Sequence, residues 1–221
     1  MTMTSAQTGF DTMRHAMVAS QLRTTAVNDP RVVAAMATVP RERFVPDDSA
    51  SMAYRDTAVP VGNGRYANVP MATGKLLTEA YLVATDRVLL IGAAGGYTAA
   101  LLSGLVAHVV AVESDPALAG HARGALAAYA NVTVVEGPLD VGHAADAPYD
   151  LLLVDGAVEH LPEALIAQVA IGGRVLTGLV DRGITRLAHG TRTAGGFALT
   201  PFADVDCVGL PGFAVPRGFT F

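Results

Sequence analysis

Charge is scarce in this sequence. Asp, Glu, Lys and Arg make up 16% of the 221 residues, hydrophobic residues make up 51%, and the net charge is −5. That balance excludes a disordered chain. No basic stripe occurs, so a nucleic-acid partner held by phosphate contacts is not expected. Cysteine occurs once, as Cys207, which rules out an internal disulfide. The six histidines lack spacings such as His-x-x-x-His, so no metal site is expected. The opening "MTMTSAQTGFDTMRHAM" has no apolar core of signal-peptide length, and the expected location is cytoplasmic.

What is present is a long uncharged run. From Val88 to Val112 there is no Asp, Glu, Lys or Arg, a length that reaches across a bilayer. Gly92, Gly95 and Gly96 break it, with Tyr97, Thr98, Ser103 and His108 interspersed. Its ends, "RVLLIG" and "HVVAVES", read as buried strands of a parallel sheet, so no membrane partner is expected. Upstream, "FDTMRHAMVASQLR" reads as a helix with Phe10, Met13 and Met17 on one stripe. "NDPRVVAAMATVP" reads as a second, with Asp29 as cap, Pro30 in the first turn and Val39-Pro40 as the stop. Residues 41–70 read as loop with short extended pieces. "MATGKLLTEAYLVAT" returns to helical spacing through Leu77, Ala80, Tyr81 and Ala84.

From Arg87 onward strand and helix alternate, through "VTVVEG", "YDLLLVDG", "PEALIAQV" and "GGRVLTGLV". Such alternation gives right-handed β-α-β units and a mostly parallel doubly wound α/β sheet. "ITRLAHGTRTAGGFALTPFADVDCV" reads as two strands around Gly195-Gly196, an antiparallel C-terminal hairpin. In such sheets a ligand lies across the carboxyl ends of the strands, here at the turn from Gly92 to Tyr97. Glu113 ends the next strand, where an acid hydrogen-bonds a ribose hydroxyl pair. The small residues alone are equally explained by close helix–strand packing; Glu113 tips the reading to a ribose-bearing ligand. Ala94 stands where a dinucleotide turn places the glycine facing the pyrophosphate, which counts against NAD. S-adenosylmethionine (SAM) has a ribose and no pyrophosphate, and tolerates that alanine.

The segments "MVASQLRTTAVNDPRVVAAMATVPRERFVP", "AYRDTAVPVGNGRYANVPM", "RVLLIGAAGGYTAALL", "NVTVVEG", "APYDLLLVDGAVEHLP" and "GGRVL" resemble, in order and spacing, the protein-L-isoaspartate O-methyltransferases. The likeness runs from about Met17 to Leu176. It implies a Rossmann-like SAM-dependent methyltransferase fold in one domain over 1–221, with 1–80 as a helical and loop extension and 81–221 as the core. It also implies methyl transfer to isoaspartyl carboxylates in damaged peptides and proteins, with S-adenosylhomocysteine (SAH) as product. The cofactor would meet Gly92, Ala93, Ala94, Gly96, Tyr97, Glu113 and Gly137.

The departures from the family pattern fall at the site. Asn68 stands for the serine tied to catalysis, Leu90 for an acid, Ala94 for a glycine, and Gly137-Pro138 for Gly-Asp. Asp155, Glu159 and His160 follow the fourth core strand, where the family tends to small and hydroxyl residues.

Methylating a carboxylate requires alignment and removal of water more than acid–base chemistry. Asn68 offers amide donors, Arg65 a two-pronged grip on a carboxylate, and the helix beginning near Val69 its free N–H groups. Asp155 is the third candidate, as a ligand contact or as a base for an alcohol or amine acceptor. The plainer alternatives are a helix cap for Asn68, a solvated loop residue for Arg65, a turn residue before Gly156 for Asp155 and simple packing for Tyr97. Glu159 and His160 read as surface. Two functions follow: a carboxyl O-methyltransferase with weak or altered acceptor specificity, or a non-catalytic SAM- or nucleoside-binding module.

Overall fold

A computed structural model describes residues 5–215. The first helix, α1 (Ser5–Met17), runs into a π turn (Val18–Leu22) and a 3-10 turn (Arg23–Thr25). Its buried face differs from the expected stripe. Met13 is exposed and Arg14 is buried, because Arg14 donates to the Thr38 carbonyl at 3.1 Å and lies over the Tyr54 ring. Helix α2 (Pro30–Thr38) begins and ends as expected, with the Asp29 carboxylate accepting from the Arg31 N–H.

Helix α3 (Pro70–Glu79) stops short of the expected end at Thr85. Two tertiary contacts end it. Arg174 donates to the carbonyls of Ala80 and Tyr81, each at 2.6 Å, and Asp86 accepts from the Val83 N–H at 2.7 Å. Tyr81 then takes a positive φ of 47° and faces solvent, off the stripe assigned to it.

The described residues form nine strands. A small ribbon, β1 (Val59–Gly62) and β2 (Arg65–Ala67), stands apart from a seven-stranded sheet. That sheet comprises β3 (Arg87–Ile91), β4 (His108–Glu113), β5 (Val132–Glu136), β6 (Tyr149–Val158), β7 (Val169–Asp181), β8 (Ile184–Thr191) and β9 (Thr200–Ala203), in the order β5-β4-β3-β6-β7-β8-β9. The five strands from β5 to β7 are parallel; β8 and β9 are antiparallel. Helices α4 (Tyr97–Ser103), α5 (Pro116–Ala125) and α6 (Glu163–Ile166) connect the parallel strands.

The uncharged run thus becomes β3, α4 and β4. Among the described residues no helix is long and apolar enough to cross a membrane. Val88 and Leu90 face a core shared with Met17, Leu22, Val32 and Met36, while Leu89 and Ile91 face a second core with Leu165 and Phe213. Burial on both faces is what makes β3 continuously apolar.

The expected C-terminal hairpin forms, with β8 and β9 paired antiparallel, and a second, tighter hairpin precedes it. The tight turn is Arg182-Gly183, with φ of 49° and 82°, between β7 and β8. Two residues at positive φ match the twist of paired strands. Gly195-Gly196 lies, as expected, in the loop joining β8 to β9.

Candidate active site

The turn after β3 is shaped by its own chain. Gly92, Ala94 and Gly96 all have positive φ, and the Gly92 and Ala93 N–H groups both donate to the Val112 carbonyl. A side chain on Gly95 would place its Cβ 1.9 Å from the Phe44 carbonyl oxygen, and one on Gly92 would place it 2.9 Å from Leu210. The 3-10 turn Arg41–Phe44 and the C-terminal segment therefore close over the carboxyl ends of the strands. Leu210 is held there by backbone bonds between Ala157 and both Val208 and Leu210.

Glu113, fully buried at the end of β4, is the electrostatic centre of this closure. Its carboxylate accepts from both Arg65 guanidinium nitrogens, at 2.6 and 3.2 Å. It also accepts from the N–H groups of Ala94 (2.8 Å), Ser114 (2.9 Å) and Asp115 (3.0 Å). Next to this pair the tip of the β1–β2 ribbon is pinned by Asn63, whose amide donates to Asp115 at 2.7 Å. Arg65 divides two spaces. Inward lies a cavity of about 20 Å³ lined by Arg41, Asn68, Tyr97, Thr98 and Asp155, room for roughly one water. Outward lies an open cleft of about 500 Å³ between the ribbon tip, Ser114–Pro116 and Gly209–Pro211.

Asn68 and Asp155 meet in the inner cavity. The Asn68 amide donates to Asp155 at 2.7 Å, and its side-chain oxygen accepts from the Val208 N–H at 2.9 Å. The Thr98 hydroxyl donates to the other Asp155 oxygen. The Asn68 carbonyl accepts from Arg41, whose fully buried guanidinium stacks 4.7 Å over the Tyr97 ring. Among the described residues, Arg41 Nε and the Tyr97 hydroxyl are buried without a hydrogen-bond partner. Burial pushes the Tyr97 hydroxyl up to about 12. Asp155 keeps some accessible surface, yet the protein packed around it excludes solvent. Desolvation drives its carboxyl above the usual range, opposed by its hydrogen bonds to Thr98 and Asn68 and by the charges of Arg41 and Arg65.

Known proteins resemble this chain in sequence and in fold. The family model described as protein-L-isoaspartate(D-aspartate) O-methyltransferase matches residues 13–209. The chain belongs to this family. It is 40% identical over 190 residues to protein-L-isoaspartate O-methyltransferase 1 of Rhodopseudomonas palustris, covering 85% of this chain and 78% of that one. It is 36% identical over 215 residues to the Koribacter versatilis protein-L-isoaspartate O-methyltransferase, covering 95% and 97%.

Among solved structures, a protein-L-isoaspartate O-methyltransferase superposes with a TM-score of 0.77 at 23% identity, covering 90% of this chain and 66% of that one. A Plasmodium falciparum structure described as a β-aspartate methyltransferase with bound SAH gives 0.75 at 17% identity, covering 90% and 96%. These two show the shared fold. Membership in an enzyme family favours the methyltransferase reading over a non-catalytic module.

The candidate residues fall into two groups. Gly92, Ala93, Ala94, Tyr97, Arg65, Asn68 and Asp155 line the inner cavity; Gly96, Glu113 and Gly137 do not. Gly96 caps α4, and a Cβ there would meet Leu126. Gly137 donates its N–H to the Glu113 carbonyl at 3.0 Å. Three plainer alternatives are overturned. Val69, not Asn68, is the N-cap of α3; Arg65 is a buried ion-pair partner, not a solvated residue; and Asp155 lies inside β6, not in a turn. Sequence reading missed Arg41, Thr98 and the Val208–Leu210 cover. The only signal for Arg41 was its place in "VPRERFVP", where an arginine between prolines reads as surface.

The raised Asp155 carboxyl has a stability consequence. The folded state holds this proton more tightly than the unfolded chain, so unfolding releases it once pH passes the ordinary value of 3.8. The group's contribution therefore falls as pH rises from there through the folded-state value, and is level above it. Asp155→Asn keeps the shape and both partners, because the Thr98 hydroxyl can turn to accept. The difference in urea-unfolding free energy, wild type minus variant, is expected to decline from pH 4 upward. A flat or rising difference would show that burial does not govern this carboxyl.

Proposed function

We propose that this chain transfers the methyl group of SAM to the side-chain carboxylate of L-isoaspartyl residues in peptides and proteins. The family match over residues 13–209 carries the reading. The site's chemistry is compatible with it. Glu113 presents two carboxylate oxygens at the end of β4, suited to a ribose hydroxyl pair, although chain donors now hold them. The glycine turn supplies backbone beside it, and Gly137 lies at the neighbouring strand end. SAM supplies an electrophilic methyl group on a positively charged sulfur.

In this reading the chain binds and orients. Asn68 is fixed through Asp155 and Val208, which leaves one amide N–H for the acceptor carboxylate. Arg41 gives the cavity positive charge without a carboxylate of its own in hydrogen-bond contact. The closing segments Phe44 and Leu210 exclude water, so the carboxylate oxygen attacks free of its hydration shell. No proton has to move, because the acceptor is already anionic and the leaving thioether is neutral. We further read the chain as one unit, since α1, α2 and the sheet share a core. Cytoplasmic location and independence of nucleic acid belong to the same proposal.

The test is methyl transfer to a standard isoaspartyl peptide, with the aspartyl peptide as control. Turnover is expected, but with kcat/KM roughly tenfold or more below a serine-bearing relative assayed alongside, since a hydroxyl donor at the developing charge is replaced. Equal turnover would show that Asn68 substitutes fully. No SAH binding and no transfer would refute the function itself.

A further inference from the structure

We infer that Arg65 is an exchangeable partner of Glu113: a ribose-bearing cofactor displaces its guanidinium, and the freed guanidinium then holds the acceptor carboxylate. The inference rests on the proposed cofactor and acceptor. Three observations carry it. First, the Arg65–Glu113 pair is two-pronged, one nitrogen to each oxygen, and a ribose diol offers two donors that can replace those two. Second, Glu113 already has five N–H donors and no exposed surface. A diol therefore cannot be added to this arrangement; it has to take the place of a donor, and Arg65 is the donor on a side chain.

Third, Arg65 lines both the inner cavity and the outer cleft. Its departure from Glu113 joins a space of about 20 Å³ to one of about 500 Å³. The two-stranded ribbon that carries it lies outside the main sheet, yet Val59 and Val61 anchor that ribbon in the core, so the exchange is a swing of the long Arg65 side chain and leaves the backbone in place. Once off Glu113, the guanidinium faces the cavity that holds Asn68 and Asp155. Binding is then ordered, cofactor before acceptor, and the two ligands assist one another.

The experiment is calorimetric titration of SAH into the wild-type protein and into Arg65→Gln, each with and without a saturating isoaspartyl peptide. Arg65→Gln removes the competitor for Glu113, so SAH is expected to bind about tenfold or more tightly than to wild type. In wild type the peptide should strengthen SAH binding by a factor in the range of about 5–150, and in Arg65→Gln that coupling should be lost. If wild type binds SAH and Arg65→Gln binds it equally or less tightly, the exchange is overturned while the cofactor reading stands. If neither binds at millimolar SAH, both fail.

Coupling of equal size in the two proteins overturns the acceptor half of the inference. A readout on the natural protein guards against a misfolded variant: modification of Arg65 by phenylglyoxal, followed by peptide mass spectrometry. Addition of SAH is expected to increase it, and protection or no change overturns the exchange.

Discussion

Glu113→Ala is expected to lower the stability of the folded chain by about 3–5 kcal/mol, the usual consequence of removing one member of a buried ion pair. The loss has two parts. The Arg65 guanidinium, its side chain only 10% exposed, is left without its counter-charge, and the N–H groups of Ala94, Ser114 and Asp115 lose their shared acceptor. Each orphaned buried group adds its own desolvation penalty. Urea unfolding at neutral pH measures the sum.

Arg65→Ala on its own should be milder, because Glu113 keeps its three backbone donors. The double variant should then fall short of the added single effects by about 0.5–3 kcal/mol, the range for residues in direct contact. Strict additivity would mean that the two side chains do not act as a pair in solution. The same variant tests function, since Glu113→Ala removes the group proposed to hold the ribose. SAH binding should be lost even under conditions where the protein remains folded.

Arg41→Ala should be comparably damaging, by about 3–5 kcal/mol, and for a different reason. Arg41 is among the largest fully buried side chains of the molecule, so truncation opens a void beneath the Tyr97 ring. It also strips the Asn68 carbonyl of its donor. Burial already depresses the Arg41 guanidinium below its ordinary value, which shows that its charge is held at a cost. Arg41→Met fills the space but still leaves the Asn68 carbonyl without its donor, so it should be milder than Arg41→Ala, at about 1–3 kcal/mol.

The two Arg41 variants should nevertheless agree on activity. Both lose the positive charge beside Asp155, and both should transfer methyl groups poorly. A fully active Arg41→Met would remove Arg41 from the acceptor site. A loss below about 1 kcal/mol for Arg41→Ala would show that the void collapses.

Local pattern alone determined the frame of this protein. Continuous apolar runs at Val88–Ile91 and His108–Val112, broken by small residues, specify strand, turn and strand because burial on both faces leaves no position for a charge. The place of Glu113 at a strand end follows from the same count. The helix start at Asp29-Pro30 was equally readable, since a cap acts within one turn.

The site itself was decided by tertiary structure. Arg65 and Glu113 are 48 positions apart, Asn68 and Asp155 are 87 apart, and Asn68 and Val208 are 140 apart. No periodicity links such partners. A guanidinium in a loop reads as solvated until the fold brings a carboxylate to it. The end of α3 shows the same limit, because Arg174, from the far side of the sequence, takes the carbonyls that helical spacing assigned to further turns. Residue type set what each side chain was able to do. The fold chose its partner, because hydrogen bonds and ion pairs depend on distance in space and not on distance along the chain.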